Sequence, residues 1–138
     1  MRKSIKALTA LVAVLFCAGC SETTRESRQA AGGDPAVRQY VASKFGDAPI
    51  MLRVAWCESK MRQYGSNGSV LRGTVHPPDA GVFQINERVH AATARSLGID
   101  LHTVEGNVAF ARHLYEKEGT GPWRSSQECW GRRRYASR

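Results

Sequence analysis

The residue of this chain best suited to chemistry is Glu58, in the segment Ala-Trp-Cys-Glu-Ser-Lys. Val54 and Ala55 precede it at helical spacing, so Glu58 lies near the end of a predicted helix, on its apolar face. A carboxyl group there is costly to ionise, and the negative end of its own helix also opposes the charge. Both effects raise a pKa, as a general acid at neutral pH requires. The alternative is a surface glutamate that pairs with Lys60 or Arg62.

Two predicted helices lead to this carboxyl group. The first begins at Asp34, a favourable N-cap, has Pro35 at its first position and ends at Gly46. Apolar residues at positions 37, 40, 41 and 45 recur at helical spacing within it. The second helix starts after Asp47-Ala48-Pro49 and places Met51 on the same face as Glu58.

The rest of the chain predicts a turn-rich insertion and more helices. Residues 62–80 lack helical periodicity, and the stretch 70–75 favours a short strand in a small hairpin. Two further helices are expected, at 87–97 and 104–118, each followed by glycine. Ser-Ser-Gln-Glu at 125–128 has the pattern of a capping box for one last turn. With 138 residues, we expect one mainly α (α+β) domain.

Three segments, in this order, resemble the lytic transglycosylase (SLT) and lysozyme-like superfamily. They are Trp-Cys-Glu-Ser at 56–59, Gly-Val-Phe-Gln-Ile-Asn at 81–86 and Asn-Val-Ala-Phe-Ala-Arg-His-Leu-Tyr at 107–115. The cysteine directly before Glu58, and Pro122-Trp123 before Cys129, are similar to resuscitation-promoting factors. The likeness covers residues 36–131 and implies a lysozyme-like domain that cleaves peptidoglycan glycan strands.

Residue roles follow from this resemblance by position. Glu58 matches the catalytic acid of the superfamily. Gln84 matches a side chain of the sugar groove, where an amide can bond an N-acetyl group or a sugar hydroxyl. Gly81 matches a glycine that lets the backbone approach the glycan closely. The alternative for Gln84 is a hydrogen bond within its own loop.

Other residues are weaker candidates for binding substrate. Asn86 and Tyr115 belong to the matching segments, and Trp123 offers an aromatic face for a sugar ring, as does Trp130. The alternative for Tyr115 and for both tryptophans is a place in the core. Transglycosylases of the superfamily carry a Tyr-Asn pair near the end of the domain, where this chain has Gly-Pro-Trp-Arg-Ser at 121–125.

Asp79 decides between two mechanisms. Residues 79–86 resemble the Asp-Tyr-Gly-Ile-x-Gln-Ile-Asn segment of animal-type lysozymes, whose aspartate is the second catalytic carboxylate. Such a pair allows retaining hydrolysis. In a lytic transglycosylase, by contrast, Glu58 acts alone, first as acid and then as base on the muramyl 6-hydroxyl, which forms a 1,6-anhydro ring. The alternative for Asp79 is a turn residue after Pro77-Pro78.

The resemblance therefore implies cleavage of the MurNAc-β-1,4-GlcNAc bond by a lytic transglycosylase. A hydrolytic muramidase that uses Glu58 and Asp79 is the first alternative. A peptidoglycan-binding lipoprotein without catalysis is the second.

The N-terminus predicts export. Residues 1–6 are basic, and the apolar run at 7–19 is shorter than the about 20 residues that span a membrane, so residues 1–19 are interpreted as a signal peptide. The alternative is a buried N-terminal helix. Phe-Cys-Ala-Gly-Cys at 16–20 resembles a bacterial lipobox, which implies a lipid anchor on Cys20 at the cell envelope. Residues 20–34 then form the lipidated start and a polar tether, and the domain occupies 35–131.

The cysteines support an exported protein. Cys17 leaves with the signal peptide and Cys20 is acylated, so Cys57 and Cys129 remain as an even pair. In an oxidising compartment they predict one disulfide. Two free buried thiols are the alternative.

Composition limits the partners. The chain has 20 Lys and Arg against 12 Asp and Glu, a net charge of +8, which suits a polyanionic partner such as a wall polymer or anionic headgroups. Export argues against nucleic acid. The basic tail 132–138 is expected to be a solvated end. The four histidines lack metal-site spacing, so we expect neither metal nor cofactor, and we expect a monomer.

Overall fold

The computed structural model describes residues 33–132. The predicted signal peptide (1–19), the lipid anchor at Cys20, most of the tether and the tail beyond residue 132 lie outside the described residues. Within the described range, no helix is both long enough and apolar enough to cross a membrane.

Residues 33–132 form a mainly helical fold with one small sheet, which confirms the predicted fold class at that level. The elements are α1 (Pro35–Lys44), α2 (Ile50–Ser59), β1 (Asp79–Ala80), β2 (Ile85–Asn86), α3 (Glu87–Ser96), α4 (Val104–Glu118), a 3-10 helix (Gly121–Ser126) and α5 (Gln127–Trp130). The predicted insertion lies between α2 and α3, as expected.

Local signals set most helix ends. The Asp34 side chain accepts hydrogen bonds from the backbone of Ala36 and Val37, with Pro35 at the first position of α1. Thr103 caps α4 through the Gly106 backbone N–H, and Gly119 ends that helix as predicted. These ends could be predicted because caps depend on residues close in sequence.

The predicted strand at 70–75 was wrong. Asp79 pairs with Asn86 and Ala80 with Ile85 in the antiparallel β1–β2 ladder, whereas the 70–75 stretch forms only isolated bridges, such as Arg72 with Ala80. The physical reason is the tight turn between the strands, whose Gly81 and Gln84 adopt φ values of 71° and 47°. That turn supplies an in-register partner, which strand propensity alone does not provide.

A row of aromatic rings joins the distant parts of the core. The Phe83 ring lies 5.5 Å from that of Phe45 at the end of α1 and 5.8 Å from that of Trp123 in the 3-10 helix, centroid to centroid. Phe83 and Phe45 are fully buried. The β1–β2 turn is therefore anchored from inside the core, and its outer side chains are held relative to the helices.

The predicted disulfide between Cys57 and Cys129 is confirmed. It joins the last turn of α2 to α5, with an S–S distance of 2.07 Å and a sequence separation of 72. Because Cys57 directly precedes Glu58, the bridge holds α5 and the 3-10 helix beside that carboxyl group.

Two buried amides fix the β1–β2 turn. Gln63 accepts from the Val82 N–H (3.0 Å), and Asn107 accepts from the Phe83 N–H (2.9 Å). The Asn107 amide also donates to the Ala80 carbonyl, at 2.9 Å. Both side chains are almost completely buried, so each bond replaces one that water would make. Asn107 therefore has a structural role, and Gln63 is a structural residue that sequence reasoning missed.

Replacing Gly81 by Ala is expected to destabilise the fold much more than Gly98→Ala. Both glycines have positive φ (71° and 67°), which costs an alanine roughly 1–2 kcal/mol. A Cβ on Gly81 would also lie 2.3 Å from Gln63 Oε1 and 2.6 Å from Asn107 Nδ2, whereas one on Gly98 meets nothing within 4 Å. This overpacking adds roughly 1–3 kcal/mol. Urea unfolding of both variants checks the difference, and equal losses would contradict it.

Candidate active site

A polar cleft of ≈190 Å³ contains most of the predicted site residues. Those that line it are Glu58, Asp79, Gln84, Asn86 and Trp123. The other lining residues are Ile85, His90, Leu114, Pro122 and Ser125. The cleft thus lies between the end of α2, the β1–β2 hairpin, α3, α4 and the 3-10 helix.

Two larger cavities, each of ≈450 Å³, lie elsewhere. One is lined by side chains of α3 and by residues 98–102, and the other by residues 118–121 together with Arg124, Gln127 and Trp130. Neither Glu58 nor Asp79 borders them. The carboxyl group with a raised pKa, Glu58, is in the smaller cleft, whereas at Glu87, in the first large cavity, the effect of burial is outweighed by bonds to Arg72 and His102, which lower the pKa. We therefore take the smaller cleft as the candidate active site.

Glu58 is half-buried in this cleft. Burial raises the pKa of its carboxyl group, the hydrogen bond from Ser126 opposes that effect, and the charge of Asp79 raises the pKa further. The net direction is upward, so more of the carboxyl group keeps its proton as the pH approaches neutrality. Such a group can donate a proton where an exposed glutamate would already be ionised.

The alternative of a surface ion pair for Glu58 was wrong. The ammonium of Lys60 lies 5.4 Å from the centre of the Trp56 ring, and Arg62 Nε donates to the Ser59 carbonyl at 3.1 Å. Among residues 33–132, no salt bridge includes Glu58. Its raised pKa therefore has no cationic neighbour to offset it.

The capping box predicted at 125–128 does not form. Ser126 stands at the N-cap of α5 without a capping bond, and its hydroxyl donates instead to Glu58 Oε1 at 2.5 Å. A carboxylate is a stronger acceptor than a neutral partner. Only the tertiary structure brings the Glu58 carboxylate within reach of Ser126, so a local sequence pattern could not reveal this hydrogen bond.

Asp79 and Asn86 face each other across the β1–β2 ladder. Asn86 Nδ2 donates to Asp79 Oδ1 at 2.8 Å, while Asn86 Oδ1 caps α3 by accepting from the Val89 N–H at 3.3 Å. Asp79 also closes a turn through its backbone N–H to the His76 carbonyl at 3.0 Å. It is thus both a turn residue and a second carboxylate in the cleft, close enough to affect the pKa of Glu58.

Gln84 lines the cleft but makes an internal bond. Its Nε2 donates to the Gly81 carbonyl at 2.8 Å, within the same turn. Packing within the protein requires glycine at position 81, because the side chains of Gln63 and Asn107 occupy the space that a Cβ would need. The structure does not require a glycan to explain either residue.

The aromatic candidates are mostly enclosed. Trp123 is only 4% exposed and donates from Nε1 to the Phe83 carbonyl at 2.9 Å. Trp130 is 7% exposed and donates to the Trp123 carbonyl at 3.0 Å. Tyr115 does not border the cleft and packs edge-on against Phe45, with ring centroids 6.1 Å apart. The two tryptophans are therefore core residues, and the half-buried Tyr115 packs against the core outside the cleft.

His90 is a cleft residue that sequence reasoning missed. Burial lowers the pKa of its ring, against a smaller opposite effect from Glu118, which favours a neutral imidazole at pH 7. The histidines were considered only as metal ligands, and within residues 33–132 no group of three or more His, Cys, Asp or Glu is suited to a metal. The usable signal was spacing, since His90 lies one helical turn after the N-cap Asn86.

The arrangement is one half-buried acid, a second carboxylate, a neutral imidazole and two amides around a polar cleft. Such a set can protonate a leaving group and stabilise positive charge that develops nearby. Comparisons of the chain with protein-family models, with curated proteins and with solved structures found no match.

Proposed function

We propose that this protein is a lytic transglycosylase with a lysozyme-like fold that cleaves the MurNAc-β-1,4-GlcNAc bond of peptidoglycan. The observation that carries the proposal is Glu58, a half-buried carboxyl group with a raised pKa that pairs with no cation among residues 33–132. The order of the motifs around Glu58, Gln84 and Asn107 supports the substrate class.

In this mechanism Glu58 does all of the proton transfer. The protonated carboxyl group donates to the bridging oxygen as the glycosidic bond breaks. The resulting carboxylate then accepts the proton of the muramyl 6-hydroxyl, whose oxygen attacks the anomeric carbon and closes the 1,6-anhydro ring. Because the nucleophile belongs to the same sugar, no water is consumed. Asp79, in the same cleft, is placed to stabilise the positive charge of the oxocarbenium-like transition state.

Asp79 also favours a second candidate, a hydrolytic muramidase. Its carboxylate shares the cleft with Glu58, and Asn86 holds its orientation. In a retaining hydrolase such a residue forms the glycosyl-enzyme intermediate or stabilises the ion pair. The products distinguish the two reactions.

We also propose that the protein is exported and lipid-anchored through Cys20, and that it acts as a monomer without cofactor or nucleic acid. The polar tether after Cys20 would let the domain reach the wall from the membrane surface. The net positive charge of the chain suits anionic wall polymers.

Digestion of purified peptidoglycan, followed by mass spectrometry of the fragments, tests the proposal. Anhydro-muramyl ends are expected from a lytic transglycosylase. Reducing ends would identify a hydrolase, and binding to the glycan without new ends would identify the non-catalytic alternative.

Asp79→Asn is expected to slow cleavage about 10- to 100-fold while the ends stay anhydro-muramyl, because the variant loses charge stabilisation and keeps its acid. Since the charge of Asp79 raises the pKa of Glu58, the alkaline limb of the rate profile should move to lower pH. Asp100→Asn is the matched control, an exposed aspartate that accepts from a nearby backbone N–H. Fragment analysis and initial rates at several pH values give the answer. If the wild type instead makes reducing ends and Asp79→Asn abolishes them, Asp79 belongs to a hydrolytic mechanism.

A further inference from the structure

Ser126 occupies a position between two acceptors. Its hydroxyl lies 2.5 Å from Glu58 Oε1 and 3.1 Å from the Trp123 carbonyl oxygen. A serine hydroxyl has one proton to donate and two lone pairs to accept with, and it rotates freely about its C–O bond. It can therefore donate to only one of these oxygens at full strength at any time.

The second acceptor is held in place. The Trp123 carbonyl also accepts from Trp130 Nε1 at 3.0 Å, and Trp123 itself is tied to the Phe83 carbonyl through Nε1. The Cys57–Cys129 disulfide keeps this segment beside the last turn of α2. The distance between the Trp123 carbonyl and the Glu58 carboxyl group is thus set by the core and by a covalent bond.

We propose that Ser126 is a positioning residue that holds the Glu58 carboxyl group in both of its protonation states by reversing their hydrogen bond. When Glu58 is ionised, the serine O–H donates to it. When Glu58 is protonated, its own O–H donates to Ser126 Oγ, and the serine hydroxyl turns to donate to the Trp123 carbonyl. Each proton stays on its own residue, and only the hydroxyl rotates.

This inference rests on the proposed function, in which Glu58 serves first as acid and then as base. A fixed donor, such as an amide N–H, would stabilise only the ionised form. A hydroxyl that can donate or accept keeps the carboxyl group in place before and after proton transfer, so no rearrangement is needed between the two steps.

The other titratable groups at this cleft are Asp79 on β1 and His90 on α3. The segment 121–130 and helix α1, which both pack against α2, add no charged side chain to the lining among the described residues. A change in the titration of Glu58 on removal of the Ser126 hydroxyl can therefore be separated from these two groups, whose own titrations are followed in the same experiment.

The test compares Ser126→Ala with Ser126→Thr and with Ser96→Ala. Ser96 is the matched control, because its hydroxyl donates to the carbonyl three residues earlier, as Ser126 does, and has no carboxyl partner. Carbon-13 NMR of the Glu58 carboxyl carbon, without substrate, measures its pKa. In Ser126→Ala both forms lose a hydrogen bond, but the charge-assisted bond to the ionised form is the stronger, so this pKa should rise. Ser126→Thr and Ser96→Ala should leave it unchanged.

On peptidoglycan, Ser126→Ala should lower kcat about tenfold with little change in KM, because the contact acts on the acid and not on the sugar. The alkaline limb of the pH–rate profile of Ser126→Ala should shift to higher pH. Ser126→Thr should restore both kcat and the position of this limb. An unchanged or lowered pKa of Glu58 in Ser126→Ala, or failure of threonine to restore it, would overturn the proposal. If the wild-type protein made no new glycan ends, the proposed function would fail, while the NMR titration would still decide the role of Ser126.

Discussion

Glu58→Gln is expected to reduce peptidoglycan cleavage by about 100- to 10,000-fold, the usual contribution of a general acid. Glutamine has nearly the same shape and can still accept from Ser126, but it has no proton of suitable acidity to give to the bridging oxygen. Release of fragments, measured at equal protein concentration, checks the loss. Glu128→Gln, at an exposed side chain on α5, is the control and should keep wild-type activity.

The same variant should be more stable than the wild type at neutral pH. Because the pKa of Glu58 is raised on folding, the folded state binds its proton more tightly than the unfolded state does. The wild type keeps that contribution below the ordinary pKa of glutamate and loses it as the pH rises through the folded-state value. Glutamine does not ionise, so the free energy of unfolding of Glu58→Gln relative to wild type should increase with pH.

Denaturant unfolding between acid and neutral pH measures this trend, with circular dichroism to confirm that the variant keeps its helices. Two results would contradict the role of Glu58. Turnover like that of the wild type would show that another group supplies the proton, and a stability difference independent of pH would show that its pKa is not raised.

Removal of the disulfide by Cys57→Ala with Cys129→Ala is expected to cost about 4 kcal/mol of stability. The bridge has a sequence separation of 72, and closing so long a loop restricts the unfolded chain strongly. For a domain of this size the loss corresponds to a Tm lower by roughly 15–30 °C. Calorimetry measures the stability, and cleavage should fall as well, since the segment that carries Ser126 and Trp123 is no longer tied to α2.

Reduction of the wild type supplies the matching control. A reductant should lower the Tm of the wild type towards that of the double variant and should leave the variant unchanged. A loss below about 1 kcal/mol would mean that packing of Trp123 and Trp130, and not the bridge, holds this segment in place.

Helix positions could be predicted because their signals are local. Asp34 and Pro35 begin α1, and Gly119 ends α4, through contacts between residues close in sequence. The strand at 70–75 was misplaced because pairing depends on a partner that a turn must supply. The capping box predicted at 125–128 failed for a related reason, since the helix begins after Ser126, whose hydroxyl bonds a distant carboxylate and not a backbone N–H of that helix.

The residues of the candidate site also divide into those that the sequence indicated and those that only the structure revealed. Glu58 was singled out from the sequence because an acid on the apolar face of a helix is unusual, and the Cys57–Cys129 pair because an even pair of cysteines behind a predicted export signal indicates a bridge. Gln63 gave no signal, since a buried amide looks like any polar residue until its partners, the Val82 N–H and the Leu101 carbonyl, are known. His90 was overlooked because its helix was not placed beside Glu58.

The sequence by itself determined most of the helices and the disulfide pair, and it singled out Glu58 as the candidate acid, because each depends on residue type and short-range spacing. The tertiary structure alone decided what surrounds that acid. It put Asp79 and His90 in the same cleft, buried Trp123, packed Tyr115 against Phe45 outside the cleft, and brought Ser126 to within 2.5 Å of Glu58. Desolvation and hydrogen bonding set the pKa of a carboxyl group, and both depend on residues that are far apart in the chain.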